Sequence, residues 1–194
     1  MKPIAILHEG NVKPTHDNHL LGLLIRHLNL DIDLVDFYGM KSKGNFFKSD
    51  YVAYKTLKSR FENDQIKKIL LIADADYIEN DAKYGGYQNT QTALNAIVEQ
   101  LGLKEISFAF VMCDPATNTG YLESFILSTI PDAQRNCIEC FLNCSNFKSK
   151  ENHKAILNQI YNIAYPDAPY DFEHKHFEPL KTALVNLFCV NHNS

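Results

Sequence analysis

The sequence predicts an α/β fold in which a mostly parallel sheet is flanked by helices on both faces. Four short segments rich in Ile, Leu, Val or Phe lie at 3–8, 32–37, 68–73 and 106–112. Segments with the apolar spacing of helices separate them over the first 112 residues. Strands that alternate with helices need crossover connections, so neighbouring strands run parallel and the helices cover both faces.

Each element follows from the spacing of its apolar residues. The run at 68–73 is continuously apolar, as in strands that are buried on both faces, whereas the segment at 32–37 alternates. Gly102 is a typical residue to end a helix, so the helix predicted over 90–101 stops there. In chain order we expect a strand at 3–8, a helix at 16–28, a strand at 32–37, a loop at 39–44, a helix at 50–62, a strand at 68–73, a loop at 77–89, a helix at 90–101 and a strand at 106–112.

The last third of the chain is predicted to be helical. Apolar periodicity indicates helices at about 121–130, 133–144, 151–164 and 177–189, with a proline-containing connector at 165–173. We therefore expect two parts. Residues 1–131 form an α/β core, and residues 132–194 form a helical extension packed on that core.

Composition limits the function classes. The chain has 194 residues, 45% hydrophobic and 22% charged, which is ordinary for a soluble globular protein. No apolar run approaches the roughly 20 residues of a membrane helix, and the first residues lack the apolar core of a signal peptide, so a cytoplasmic location is expected. Five cysteines argue against a disulfide framework. The net charge of −4 argues against a strong nucleic-acid binder, although a local basic patch remains compatible with it.

Acidic residues follow three of the predicted strands. Glu9 comes after the first strand, Asp74 and Asp76 after the third, and Asp114 after the fourth. The carboxyl ends of parallel strands meet at one edge, where ligands bind in open α/β sheets. Crowded carboxylates favour a hard cation such as Mg²⁺ or Mn²⁺, which assists phosphodiester chemistry. The alternative is that these residues cap helices or form turns.

The order of the acidic motifs resembles the Toprim signature. Leu-His-Glu-Gly at 7–10 is followed by a helix and later by Leu-Leu-Ile-Ala-Asp-Ala-Asp at 70–76. Toprim domains occur in topoisomerases, bacterial primases and overcoming-lysogenisation-defect nucleases. The chain is still more similar to a family of uncharacterised bacterial Toprim-related proteins. That similarity covers nearly the whole chain and includes Met-Cys-Asp-Pro at 112–115, Gly-Tyr-Leu-Glu-Ser-Phe-Ile-Leu-Ser-Thr-Ile-Pro at 120–131 and the tail from 152 to 188.

The resemblance implies a four-stranded α/β core with Glu9, Asp74 and Asp76 around a divalent cation, Mg²⁺ or Mn²⁺. In Toprim enzymes the aspartates bind the metal and the glutamate assists proton transfer, so Glu9 is the candidate catalytic residue. The chain departs from the pattern in two ways. The connection at 11–17 is longer than expected, which affects the site geometry, and the absence of an evident tyrosine nucleophile argues against a topoisomerase.

Three further residues are candidates for the same site. Asp114 precedes a proline, so it either joins the site or starts a turn. Glu123 lies about one turn into a predicted helix, where it either reaches the metal edge or interacts with the helix N-terminus. Lys83 belongs to the loop Lys-Tyr-Gly-Gly-Tyr-Gln-Asn at 83–89, which is either a phosphate cradle with stacking tyrosines or an ordinary flexible loop.

Other clusters favour structural interpretations. His16 and His19 lack a clear third ligand, so a solvated surface is favoured over a Zn²⁺ site. The cysteines at 137, 140 and 144 have the spacing of one helix stripe, which favours burial in the core over an iron–sulfur cluster. The lysines at 41, 43 and 48 are expected to form a solvated face.

Three functions are compatible with these patterns. The leading interpretation is a metal-dependent phosphodiester-processing enzyme, specifically a nuclease acting on DNA or RNA. The second is a weakly active or inactive Toprim-like scaffold that binds a partner protein such as an ATPase. The third is a nucleotide-sugar transferase, since those enzymes also place Asp-x-Asp after an apolar strand, but the short chain and helical C-terminal part fit it poorly.

Overall fold

The protein has a single sheet of four parallel strands among the residues described by the computed structural model, which are 2–10, 16–144 and 170–189. The strands are β1 (Ile4–His8), β2 (Val35–Gly39), β3 (Lys68–Asp74) and β4 (Ser107–Met112). They lie in the order β2-β1-β3-β4, with every neighbouring pair parallel. The predicted α/β class, with a parallel four-stranded sheet flanked by helices, is confirmed.

The strand order fixes where a ligand site is expected. From β1 the chain moves to β2 on one side, and it then crosses to β3 and β4 on the other side. The direction of winding therefore changes between β1 and β3. In open parallel sheets, ligands bind beyond the carboxyl ends of the strands at such a switch point. Glu9 follows β1 and Asp74 ends β3, so both lie at this point.

The described part of the chain contains seven α-helices. They are α1 (His16–His27), α2 (Lys43–Phe46), α3 (Val52–Glu62), α4 (Tyr87–Gln100), α5 (Leu122–Leu127), α6 (Asp132–Cys144) and α7 (Glu178–Phe188). All but α6 contribute to the apolar clusters on the two faces of the sheet. Alternate residues of β1 enter different apolar clusters, because successive strand residues point to opposite faces. Ile4 and Ile6 join the cluster with α1, α5 and α7, and Ala5 and Leu7 join the cluster with α2, α3 and α4.

Two elements begin at other residues than predicted for local reasons, and the structure adds one short helix. Residues Ile32–Leu34 form a 3-10 turn, because the Asp31 side chain accepts a hydrogen bond from the Asp33 N–H at 2.9 Å, and β2 begins only at Val35. The short helix α2 occupies a region with no predicted helix. Helix α4 begins at Tyr87 rather than near 90, because Gly86 precedes it with a φ of 83°.

The last helix belongs to the main core. In α7 the side chains of Leu180, Leu184 and Leu187 are fully buried, and the helix packs against β3 and β4. The predicted helix at 151–164, most of the connector at 165–173, and the connection at 11–15 lie outside the described residues. The division of the chain at residue 131 stays a prediction.

None of the helices in the described ranges is both long enough and apolar enough to cross a membrane.

Candidate functional site

Glu9 and Asp74 meet at the switch point of the sheet. Glu9 is the first residue after β1, and its Oε1 accepts a hydrogen bond from the main-chain N–H of Asp74 at 2.8 Å. These residues are far apart in sequence, but β1 and β3 are adjacent parallel strands that end at the same edge. The strand register therefore brings the Glu9 carboxylate to the end of β3.

The Asp74 carboxylate is buried and points to the start of α5. The residue is 6% exposed, and its Oδ1 accepts a hydrogen bond from the N–H of Leu122, the first residue of α5, at 3.0 Å. This contact connects β3 to the segment that follows β4. A carboxylate offers about four lone-pair positions, so this hydrogen bond is compatible with a further role as a metal ligand.

The main chain holds Asp76 in a conformation that few residues adopt. Its φ is 57°, in the left-handed region that aspartate tolerates better than most residues. Asp76 and Gly120 form an antiparallel bridge in which the Asp76 N–H donates at 2.6 Å and the Gly120 N–H donates at 3.0 Å. The bridge fixes Asp76 directly beyond Asp74, at the same edge.

The side chain of Asp76 forms an ion pair with Lys43. The distance between Lys43 Nζ and Asp76 Oδ2 is 3.3 Å, and Nζ also donates a hydrogen bond to the Ala75 carbonyl at 2.7 Å. Lys43 is the first residue of α2 and is only 8% exposed. A cation from α2 therefore lies at the acidic edge.

The prediction of a solvated lysine face is wrong for Lys43, whereas Lys41 and Lys48 are exposed. One signal in the sequence could have found the difference. Met40 and Phe46 lie three residues before and after Lys43, and both are fully buried. The spacing of three places Lys43 on the buried side of this short turn.

In the loop between β3 and α4, main-chain N–H groups donate hydrogen bonds to carbonyl groups of the protein. The Gly85 N–H donates to the Asp81 carbonyl at 2.7 Å, the Gly86 N–H to the Ala75 carbonyl at 2.8 Å, and the Tyr87 N–H to the Asn118 carbonyl at 3.0 Å. These groups are occupied by the protein itself. The two glycine amides are thus engaged within the protein, which favours the ordinary-loop interpretation over the phosphate cradle.

Lys83 projects into solvent from the same loop. Its Nζ lies 4.7 Å from the centre of the Tyr84 ring, and the hydrogen bond with Tyr84 is the main reason that the pKa of Lys83 is raised. The Tyr84 ring stacks on Phe47, with 4.1 Å between the ring centres. The Tyr84 ring is therefore engaged by two residues of the protein, and none of the contacts described for Lys83 reaches the acidic edge.

The two remaining acidic candidates have local structural contacts. Asp114 Oδ1 accepts a hydrogen bond from the Ala116 N–H at 2.9 Å, and the Asp114 main chain bridges to Thr119, so this residue forms a turn. Glu123 is the second residue of α5, is 9% exposed and lies close enough to Tyr170 for its charge to raise the pKa of that phenol, after the larger effect of burial. The contacts of Asp114 support the turn interpretation, and the position of Glu123 in the first turn of α5 is compatible with an interaction with the helix N-terminus.

Cys113 lies close enough to the acidic edge for its charges to affect the pKa of the thiol. This residue follows β4, and its pKa is raised to about 11, first by burial and then by the charges of Asp114 and Asp74. Acidic side chains therefore act on the same small region from β3 and from the segment after β4.

The other predicted clusters do not add ligands. In the described ranges, no group of three or more His, Cys, Asp or Glu side chains is arranged to hold a metal ion. His19 is exposed, and the side chain of His16 lies outside the described residues. The prediction that Cys137, Cys140 and Cys144 are buried is wrong: all three are exposed, since α6 buries only Leu142.

Comparison of the chain with protein-family models, with curated proteins and with solved structures finds no match. The Toprim-like assignment therefore stays a prediction from the sequence motifs.

Proposed function

We propose that this chain is a Toprim-like, divalent-metal-dependent phosphodiester-processing protein, and specifically a nuclease that acts on DNA or RNA. One observation carries the proposal. The Glu9 carboxylate reaches the end of β3 and binds the Asp74 N–H at 2.8 Å, at the switch point where parallel sheets bind ligands. Glu9 and Asp74 are 65 residues apart in sequence, and this hydrogen bond brings them together at the edge of the sheet.

The donor chemistry of the edge fits a hard cation. Asp74 and Asp76 offer the carboxylate oxygens that Mg²⁺ and Mn²⁺ prefer, and these two residues would hold the ion. A bound divalent ion supplies positive charge to phosphate oxygens during displacement at phosphorus. Because the described side chains do not form a complete metal cluster, we expect Asp76 to reorient away from Lys43 when the ion binds.

Glu9 is the candidate to move a proton. Its carboxylate is half-buried beside Asp74 at the carboxyl edge of the sheet, and a carboxylate held there can act as a general base. Its hydrogen bond to the Asp74 N–H orients the carboxylate. Glu9 is thereby positioned to accept a proton from a water molecule that attacks a phosphodiester.

The test is cleavage of single- and double-stranded DNA and RNA by purified protein with Mg²⁺ or Mn²⁺. Asp74→Asn should reduce cleavage at least about 100-fold, since it removes a charge from the metal-binding edge. Asp50→Asn is the matched control, because it removes the same charge from an exposed residue and should leave the rate unchanged. Absence of metal-dependent cleavage on every substrate would contradict the proposal.

The ion pair of Asp76 favours a second candidate function. Lys43 neutralises one carboxylate of the edge, which suits an inactive scaffold that binds or regulates a partner protein such as an ATPase. In that case the purified protein binds no divalent ion, cleaves no substrate and co-purifies with an ATPase at a fixed ratio. Metal-dependent cleavage that is lost in Asp74→Asn would exclude this alternative.

A further inference from the structure

Lys43 has the surroundings of a built-in counter-ion. An ammonium group that is 8% exposed needs partners, because burial of a charge is costly unless it is paired. Lys43 has two partners, the Asp76 carboxylate at 3.3 Å and the Ala75 carbonyl at 2.7 Å. Both belong to the segment directly after β3, so the cation is fixed to the acidic edge itself.

The same carboxylate is the one that a divalent ion needs. A metal ion at Asp74 and Asp76 has to displace the ammonium group from Asp76, or bind while that positive charge remains a few ångströms away. Either process weakens metal binding. Repulsion at a partly buried edge is screened less than at an open surface, so its effect on affinity is large.

We propose that Lys43 is the resident counter-ion of Asp76 and competes with the divalent cation for this carboxylate, so that Lys43 sets the metal affinity of the edge. The inference rests on the proposed function for the identity of the cation. Loading of the site then depends on a metal concentration that is high enough to displace the lysine. Removal of the lysine charge should tighten metal binding.

The experiment measures Mn²⁺ binding to the full chain by isothermal titration calorimetry. Lys43→Met removes the charge and keeps a side chain of similar length, and Lys43→Gln removes the charge but retains a hydrogen-bond donor. Lys48→Met is the matched control, because it makes the same change in net charge at an exposed residue five positions away. Circular dichroism and thermal unfolding without metal verify that each variant is folded.

We expect both Lys43 variants to bind Mn²⁺ about tenfold more tightly than the wild type, or better, whereas Lys48→Met stays within about twofold. If the wild type and the Lys43 variants bind with equal affinity, or the variants bind more weakly, the inference is overturned and the proposed function stands. If only the Lys43 variants bind Mn²⁺, the inference stands and metal-dependent activity of the wild type is overturned. If no form binds Mn²⁺, both are overturned.

Discussion

Gly120 shows how a single residue fixes the candidate site. Its φ is 96°, and it forms the bridge with Asp76 that holds the second aspartate of the motif. A Cβ atom at this position would lie 2.5 Å from Ser124 Oγ and 2.7 Å from Ser124 Cβ. The position therefore needs glycine for two reasons, the backbone conformation and the close approach of α5.

Gly120→Ala should destabilise the fold by about 1–3 kcal/mol, because it adds backbone strain and a steric clash. Urea unfolding measures the change. Gly44→Ala is the control, since no atom lies within 4 Å of a Cβ there. It should leave stability unchanged or raise it slightly, because alanine favours helix more than glycine does. Equal stabilities for the two variants would contradict this account of Gly120.

At this scale, sequence reasoning placed some residues and missed others. Glu9 and Asp74 could be placed together because both follow parallel strands, and that rule needs only the topology. Lys43 was missed because its burial depends on the path of the four-residue helix α2, and the one signal for it was its spacing of three from Met40 and Phe46. The engaged amides of the loop before α4 likewise depend on distant carbonyls, such as that of Asn118.

Among the elements, α5 links the candidate edge to the C-terminal helix. Its first N–H binds Asp74, and Ser128 at its other end forms a hydrogen bond with His176 at 2.9 Å, just before α7. Ser128 is 3% exposed. The segment before α7 is therefore attached to the end of the helix that contacts the site.

His176 should make this attachment dependent on pH. Its pKa is lowered, first by burial and then by the nearby charges of His174 and Lys175. A lowered pKa means that the folded state binds the proton less tightly than the unfolded state does. The stability that His176 contributes is therefore fully present above its ordinary pKa of about 6.5, and it is lost as the pH falls through its lower folded pKa.

His176→Gln tests this dependence. The difference in unfolding free energy between wild type and variant should be larger at neutral pH than at an acidic pH below the lowered pKa of the wild-type imidazole. Urea unfolding at the two pH values measures it. His19→Gln, at an exposed position, should show no such change. A constant difference for His176→Gln would mean that its protonation is not linked to folding.

For the whole molecule, the fold class followed from simple periodicities, but the boundaries did not. Continuous apolar runs located β3 and β4 well, because strands covered on both faces leave no other pattern. The alternation at 32–37 misled, since the Asp31 cap formed a 3-10 turn where a strand was expected. The prediction that the three cysteines of α6 are buried was wrong, because helical spacing alone does not reveal which face of a helix is covered. Helix α6 buries a single residue.

The edge where three parts of the fold meet should respond to a divalent ion as one unit. Glu9 follows β1, Asp74 and Asp76 lie at the end of β3, and the Asp74 carboxylate accepts a hydrogen bond from the first N–H of α5. An ion held there would therefore connect β1, β3 and α5. Ligands that bind only the folded state stabilise it, by about 2.7 kcal/mol at a free concentration 100 times the dissociation constant. Saturating Mg²⁺ should therefore raise the midpoint of thermal unfolding of the wild type. Asp74→Asn should lose this increase and Asp50→Asn should retain it, and an increase of the same size in Asp74→Asn would place the ion elsewhere on the protein.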